Sequence, residues 1–283
     1  MLVTLHDLIA AARRDRYGLG AFNTYNLEIT AGIVAAAEDL RAPVIVQTGA
    51  GALRGASRLA LPALVLALAR SARVPVAVHL DHAIDLGLID QMIASGYTSV
   101  MIDGSSELFD RNVVLTRRAV ERGHAAGVTV EAELGGIAGQ EDVAEAGESA
   151  FFTDPEMAGR FVAETGVDLL AVAIGNVHGF YRGEPRLQFE RLATLRDTVP
   201  VPLVLHGASG LSDDALKRAI GLGVAKINFN TELRQALFAA LEEAIPESRR
   251  GYDVASLMQS STAAVREIVT EKLTLLGAVG RGA

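Results

Sequence analysis

The chain has 283 residues, of which 50% are apolar and 21% are charged, and its net charge is −8. This acidic balance excludes an extended surface for the phosphates of nucleic acid and disfavours a basic face for anionic lipid. The absence of cysteine excludes disulfides, thiolate metal sites and cysteine nucleophiles, so a bound metal would need histidine and carboxylate ligands.

The sequence predicts no targeting or membrane-spanning segment. Its first residues lack a basic stretch followed by an apolar one, so no signal peptide is expected. The most apolar run, residues 59–69, contains Pro62 and is too short to span a bilayer, which takes about 20 residues. We therefore expect a cytoplasmic protein that binds neither nucleic acid nor membranes.

Eight short apolar runs alternate with amphipathic segments along the chain. They predict strands at residues 19–23, 44–48, 76–81, 99–103, 129–134, 169–175, 202–207 and 225–230, with helices such as 27–40, 59–70, 107–126 and 213–221 between them. The spacing of about 25 to 35 residues is typical of βα units, and near-continuous apolar runs are typical of parallel strands buried on both faces. We therefore predict an α/β fold, a single (β/α)8 TIM-barrel domain over residues 1–283 with extra C-terminal helices. A doubly wound sheet is the alternative.

Histidines cluster where predicted strands end. His82 follows the third strand, His178 follows the sixth and His206 closes the seventh. Because the carboxyl ends of parallel strands meet at one rim of a barrel, these three imidazoles predict a zinc site with an open coordination position. Asp103 and Glu133 lie at neighbouring strand ends, where they are either alternative ligands or groups that orient the histidines.

Residues 135–149 interrupt the repeat. They are rich in glycine and acidic side chains and follow the fifth predicted strand, at the end where barrel enzymes place their chemistry. We interpret them as a lid loop over the site; a solvated linker is the alternative.

Two polar turns follow the last two predicted strands. The first is Gly207-Ala208-Ser209-Gly210 and the second covers residues 228–231. In barrels, loops at these positions often bind phosphate through backbone N–H groups and a helix N-terminus. Ser209, Asn228 and Thr231 add hydroxyl and amide groups, so the two turns predict a phosphate site.

From Phe22 to about Arg266 the chain resembles the class II ketose-bisphosphate aldolases, most strongly the tagatose-1,6-bisphosphate aldolases, with the fructose-1,6-bisphosphate aldolases beside them. The motifs that carry the resemblance are Ala21-Phe22-Asn23, Val76-Ala77-Val78-His79-Leu80-Asp81-His82, Glu131-Ala132-Glu133-Leu134-Gly135, Gly175-Asn176-Val177-His178-Gly179, Leu205-His206-Gly207-Ala208-Ser209-Gly210 and Lys226-Ile227-Asn228-Phe229-Asn230-Thr231.

The resemblance implies zinc-dependent, reversible aldol cleavage of a ketose 1,6-bisphosphate to dihydroxyacetone phosphate and glyceraldehyde 3-phosphate. It implies zinc on His82, His178 and His206, with Asp81 and Glu141 as catalytic acid–base residues. It also implies a monovalent cation near the phosphate site and a homodimer or homotetramer. The dihydroxyacetone-phosphate site would comprise Asn23, Gly179, Gly207, Ala208, Ser209, Asn228, Phe229, Asn230 and Thr231.

Three positions depart from the family pattern. Gly49 stands where some relatives have a serine that contacts substrate, and Asn230 stands where the family often has aspartate or alanine. The turn at residues 136–138 differs as well. These departures leave the preferred sugar and the behaviour of the lid open.

Two other functions are open at this point. A Schiff-base aldolase on the same fold needs an inward lysine, and Lys226 is the only lysine in a predicted strand. The second alternative is a non-catalytic barrel that supports a partner enzyme. Such a subunit need not keep three histidines at one rim, so the histidine set favours an enzyme.

Overall fold

A closed barrel of eight parallel strands forms the centre of the protein. The structure is a computed structural model and describes residues 1–139, 151–179, 181 and 183–282. The barrel strands are β1 Leu19–Asn23, β2 Val44–Gly49, β3 Val76–Ala83, β4 Ser99–Ile102, β5 Thr129–Leu134, β7 Leu169–Val172, β9 Leu203–Leu205 and β10 Val224–Phe229. They neighbour one another in chain order, and β10 pairs with β1 to close the ring. The predicted TIM barrel is therefore confirmed.

Helices cover the outside of the barrel. In the described ranges they are α1 Leu5–Asp15, α2 Leu27–Leu40, α3 Ser57–Ser71, α4 Leu86–Ser95, α5 Phe109–Ala125, α6 Pro155–Thr165, α7 Phe189–Thr198, α8 Asp213–Gly221, α9 Thr231–Gly251 and α10 Val254–Leu275, with a 3₁₀ turn at Ala50–Ala52. None of them combines the length and apolar character that a membrane span requires.

Local sequence signals set the helix ends. The Asp154 side chain accepts a hydrogen bond from the Met157 N–H, and Pro155 opens α6, as an N-cap followed by proline predicts. Gly96 and Gly166 end α4 and α6 in the left-handed conformation. Each helix is thus fixed in length before it packs on its strand.

Three predicted strand ends are wrong by two residues or more, and one of them is the end of the seventh predicted strand, which stops at Leu205 and not at residue 207. The sixth predicted strand stops at Val172, because the Asn176 side chain accepts a hydrogen bond from the Ile174 N–H and turns the chain. Beyond this turn Val177–His178 forms a separate short strand, β8, which pairs with β6 at Ala138–Gly139. The third strand continues past Asp81 to Ala83, with a register shift against β4 between Leu80 and Ala83.

The inner face of the barrel is polar towards its carboxyl end. Side chains alternate along a strand, so apolar residues such as Leu80 and Ile227 face the helices while polar ones face the lumen. Six buried polar side chains come from three strands: His79, Asp81, Glu131, Glu133, Lys226 and Asn228. A group of buried polar side chains is therefore built into the barrel wall.

Segments at both ends of the chain complete the barrel. The His6 N–H donates to the Thr129 Oγ1 at 3.1 Å, which places α1 beside the start of β5. The predicted C-terminal helices are present as α9 and α10, and α10 packs against α2 and β1. The Gly280 N–H then donates to the Leu40 carbonyl at 2.9 Å, so the last residues return to the end of α2.

Candidate active site

Three histidines converge at the carboxyl end of the barrel. His82, His178 and His206 each place a ring nitrogen within 4.8 Å of those of the other two. The His82 Nε2 and the His206 Nδ1 are 2.9 Å apart. All three side chains are buried. The grouping predicted from three separate strand ends is thus a single cluster.

An unusual backbone conformation lets β3 supply two neighbouring side chains to the site. Consecutive residues of a regular strand point to opposite faces, so Asp81 and His82 would diverge. His82 instead has a φ of 48°, in the left-handed region, at the register shift between β3 and β4. This conformation costs a non-glycine residue about 1–2 kcal/mol, and it turns the imidazole towards the cluster.

Carboxylates fix the orientation of two of the rings. The His82 Nδ1 lies 2.7 Å from the Asp103 Oδ2, and the His206 Nε2 lies 2.8 Å from the Glu131 Oε1. A carboxylate only accepts hydrogen bonds, so each of these ring nitrogens carries the proton and donates it. The opposite nitrogens, His82 Nε2 and His206 Nδ1, therefore face each other, and each has a lone pair when its ring is neutral.

A proton shared between these two nitrogens, or a metal ion bound by both, would hold them at 2.9 Å. Burial favours the neutral form of two of the rings, because it lowers the pKa of His206 and lowers that of His178 well below its usual value. Neutral imidazoles on a divalent metal satisfy the same geometry, and three of them with an open position form a common catalytic zinc set. The residues present therefore fit a histidine-bound metal.

Two acidic residues lie beside the cluster, as predicted. Ligand atoms of His82, Asp103 and Glu133 also lie within 4.8 Å of one another. Burial raises the pKa of Asp103, but hydrogen bonds from His82 and Ser105 outweigh it and lower the pKa. Burial, with repulsion from Asp103, raises the pKa of Glu133 well above its usual value. Asp103 thus orients His82, while Glu133 stands 3.5 Å from the His206 Nδ1.

Asp81 is held by three side-chain amides. Asn23 and Gln47 each donate to its Oδ2 at 3.1 Å, and Asn228 donates to its Oδ1 at 3.3 Å. Burial raises the pKa of Asp81, but the neighbouring His82 and basic groups outweigh it and lower the pKa to about 2. An ionised carboxylate, fixed in direction and next to a histidine of the cluster, is suited to accept a proton.

The two predicted phosphate turns lie side by side at the ends of β9 and β10. The Asn230 N–H lies 3.4 Å from the Ser209 Oγ, and α9 begins at Thr231. The ring of Phe229 stacks on Phe22, so only its backbone is available to a ligand. Gly179 has a φ of 83° and open space around its Cα. The turns offer backbone and hydroxyl groups in the expected place.

Several residues at the site were not predicted from the sequence. The Tyr25 hydroxyl donates to the Asn230 Oδ1 at 2.9 Å, and the Glu232 Oε1 accepts from the Gly210 N–H at 3.0 Å. Glu131 was named only as part of a motif, and Gln47 was not named. The available signal was the alternation of side chains along a strand, which places Gln47 on β2 and Glu131 on β5 on the luminal face.

Glu141, the predicted second acid–base residue, lies outside the described residues. The chain on either side of it is described. Gly139 pairs with His178, and the Gly136 N–H donates to the Phe151 carbonyl at 2.9 Å.

Comparisons with known proteins show the family to which the chain belongs. Residues 3–281 match the family described as Fructose-bisphosphate aldolase class-II. The fructose-bisphosphate aldolase of Thermus caldophilus is 44% identical, over 99% of this chain and 100% of that protein. That of Geobacillus stearothermophilus is 40% identical, over 100% and 99%. The solved structure of the YdjI aldolase from Escherichia coli K12 has 39% identity and a TM-score of 0.90, with both chains fully covered.

The chain belongs to the class-II fructose-bisphosphate aldolase family. It is accordingly an aldolase, a lyase that reversibly cleaves a carbon–carbon bond of a ketose bisphosphate. The resemblance stated from the motifs is confirmed.

Gly207 provides a test of how tightly the cluster is packed. It has a φ of 61°, and a Cβ there would lie 2.1 Å from the Val177 carbonyl oxygen, next to His178. Gly166 has a similar φ of 68° with open space around it. We expect Gly166→Ala to lower the free energy of unfolding by about 1 kcal/mol and to keep kcat/KM. Gly207→Ala should cost more stability and lower kcat/KM, because the strand that carries His178 must move. Equal stability and activity in the two variants would contradict this packing.

Proposed function

We propose that the protein is a zinc-dependent aldolase that cleaves tagatose or fructose 1,6-bisphosphate to dihydroxyacetone phosphate and glyceraldehyde 3-phosphate. The observation that carries the proposal is the convergence of the ring nitrogens of His82, His178 and His206 within 4.8 Å of one another. The whole chain acts as one domain in the cytoplasm, with a monovalent cation near the phosphate turns. Zinc, when bound, supplies a Lewis acid for the substrate carbonyl.

Asp81 is the proposed proton-transfer residue. In cleavage it takes the proton of the C4 hydroxyl, so that the bond between C3 and C4 can break, and in condensation it returns that proton. Its three amide donors support this role, because they fix the carboxylate in one direction before substrate arrives. Glu141 is the proposed second group, which protonates the enediolate carbon of the dihydroxyacetone-phosphate half.

The phosphate of that half is placed against the turns at residues 207–210 and 228–231. Backbone N–H groups and the N-terminus of α9 favour an anion there. The hydroxyl groups of Ser209 and Thr231 add donors. Bound in this way, the ketone would lie over the histidine cluster, and Asn23 would face it from β1.

We also propose that the protein forms a homodimer or homotetramer through the α9–α10 hairpin. Of the 21 residues of α9, only Leu233 is buried. Four large apolar side chains are exposed along the hairpin: Phe238, Ile245, Tyr252 and Val254. Such a surface suits a contact between copies. Sedimentation of the Phe238→Ser variant tests it, with a shift to monomer expected.

The metal is tested by chelation. Removal of zinc should abolish cleavage, and added zinc should restore it, because the carbonyl then lacks its Lewis acid. Borohydride with substrate should trap nothing on Lys226, because its amine is held by Glu131 at 2.9 Å. Full activity after chelation, or borohydride-dependent labelling of Lys226, would support the Schiff-base mechanism instead.

Asp81 is tested by the variant Asp81→Ala. We expect kcat to fall by about 10²- to 10⁴-fold, the usual contribution of a general acid–base, while zinc stays bound. Steady-state kinetics and metal analysis of the same sample measure both quantities. Asp103→Ala is the matched comparison, since that side chain orients His82 and its loss should weaken zinc binding. Loss of zinc from Asp81→Ala would assign Asp81 a structural role.

The preferred sugar is tested with both epimers. Fructose and tagatose bisphosphates differ only at C4, so discrimination depends on how the C4 oxygen lies against Asp81 and its surroundings. Gly49 provides no side-chain donor there, and it pairs in register with Asp81. We therefore predict cleavage of both epimers with a kcat/KM ratio below about 10³, tagatose being the better substrate. A larger ratio in either direction would contradict this prediction.

A further inference from the structure

A buried ion pair lies beneath the histidine cluster and has no part in the mechanism above. The Lys226 Nζ lies 2.9 Å from the Glu131 Oε2 and 3.2 Å from the Oε1. Both side chains are 0% exposed. Charges buried to this degree are costly unless they are paired, and an apolar pair of similar volume would often be at least as stable. The pair therefore calls for an explanation other than stability.

Glu131 determines which nitrogen of His206 carries the proton. The Glu131 Oε1 accepts from the His206 Nε2 at 2.8 Å. A carboxylate cannot donate, so the Nε2 must hold the hydrogen and the Nδ1 must present its lone pair. The Nδ1 is the atom that faces His82. Glu131 thus prepares His206 as a ligand.

Lys226 determines the orientation of a second group. Its Nζ lies 2.8 Å from the Asn228 Oδ1. An ammonium group only donates, so the amide oxygen of Asn228 must face it and the amide NH₂ must point away. That NH₂ donates to the Asp81 Oδ1 at 3.3 Å. Lys226 thus prevents Asn228 from turning its oxygen towards the Asp81 carboxylate.

We propose that the Lys226–Glu131 ion pair positions two active-site groups at once, His206 as a metal ligand through Glu131 and Asp81 through Asn228. The inference rests on the proposed function of the site. Lys226 and Glu131 are positioning residues, because neither contacts the metal position or the substrate. Without Lys226 the Glu131 carboxylate loses its ammonium donor and is free to rotate away from His206.

The experiment uses three variants of the full chain: Glu131→Gln, Lys226→Met and the double variant. Each single change leaves one buried charge without its partner, so both should lower stability, while the double variant removes both charges and should recover most of it. The zinc dissociation constant, measured by competition with a chromophoric chelator, should rise about 10- to 100-fold in all three. If the double variant recovers its stability but not its affinity for zinc, the ion pair positions the site and does not merely stabilise the fold.

Lys272→Met is the matched control. Lys272 is also a buried lysine, 7% exposed, and its Nζ lies 3.0 Å from the Glu232 Oε2 on the outside of the barrel. Its variant should lose stability and keep the zinc dissociation constant within about twofold of wild type, since its ion pair does not contact the three histidines. A rise equal to that of the double variant would show that loss of stability alone weakens zinc binding, and would overturn the proposal.

The effect of Lys226 on Asn228 and Asp81 is measured separately. In the double variant at saturating zinc, kcat should stay about tenfold below wild type, because Asp81 is no longer held in line. Zinc binding within threefold of wild type in the double variant would refute the role of Glu131 in orienting His206. Full kcat of that variant on addition of zinc would refute the role of Lys226 in positioning Asp81 through Asn228. If a single variant does not fold, the double variant still decides. Failure of the wild-type protein to bind zinc would instead refute the proposed function.

Discussion

The 2.9 Å separation of the His82 and His206 nitrogens governs the arrangement around it. At this distance the two nitrogens need a shared proton or a bound cation, because two lone pairs would repel each other. Asp103 and Glu131 maintain this arrangement, because Asp103 accepts a hydrogen bond from the other nitrogen of His82 and Glu131 accepts one from the other nitrogen of His206. A metal ion bound here would complete an electrostatic pattern that the protein has already built.

The polar lumen follows from the same requirement. The interior of a TIM barrel is usually filled by branched apolar side chains in layers. Here the luminal face near the cluster carries charged and amide groups, and their cost of burial is offset only where donors and acceptors match. Gln47 shows this matching, since its amide donates to both Asn23 and Asp81. The apolar contacts between strands and helices must consequently provide most of the stability.

Much of this architecture could be predicted from the sequence. Apolar runs about 30 residues apart predicted the eight strands, because each run is a local feature of the sequence and recurs at a regular interval. The histidines could be grouped because topology alone brings strand ends together. The geometry of the histidine cluster could not be predicted. The left-handed conformation of His82 and the turn at Asn176 depend on contacts with distant strands, as do the hydrogen bonds of Lys226. Residue types and spacing carry no information about such pairs.

The pairing of β1 with β10 has a consequence for how the protein is made. Ala21 and Asn228 are register partners although about 200 residues separate them, and β1 also packs against α10 near the end of the chain. Contacts of such long separation form late, because the entropy of closing the intervening chain must be overcome first. During synthesis the ribosome therefore releases nearly the entire polypeptide before the barrel can close. Until then the edges of β1 and of the growing sheet are unpaired, and a nascent chain in this state depends on rapid completion or on chaperones to avoid aggregation.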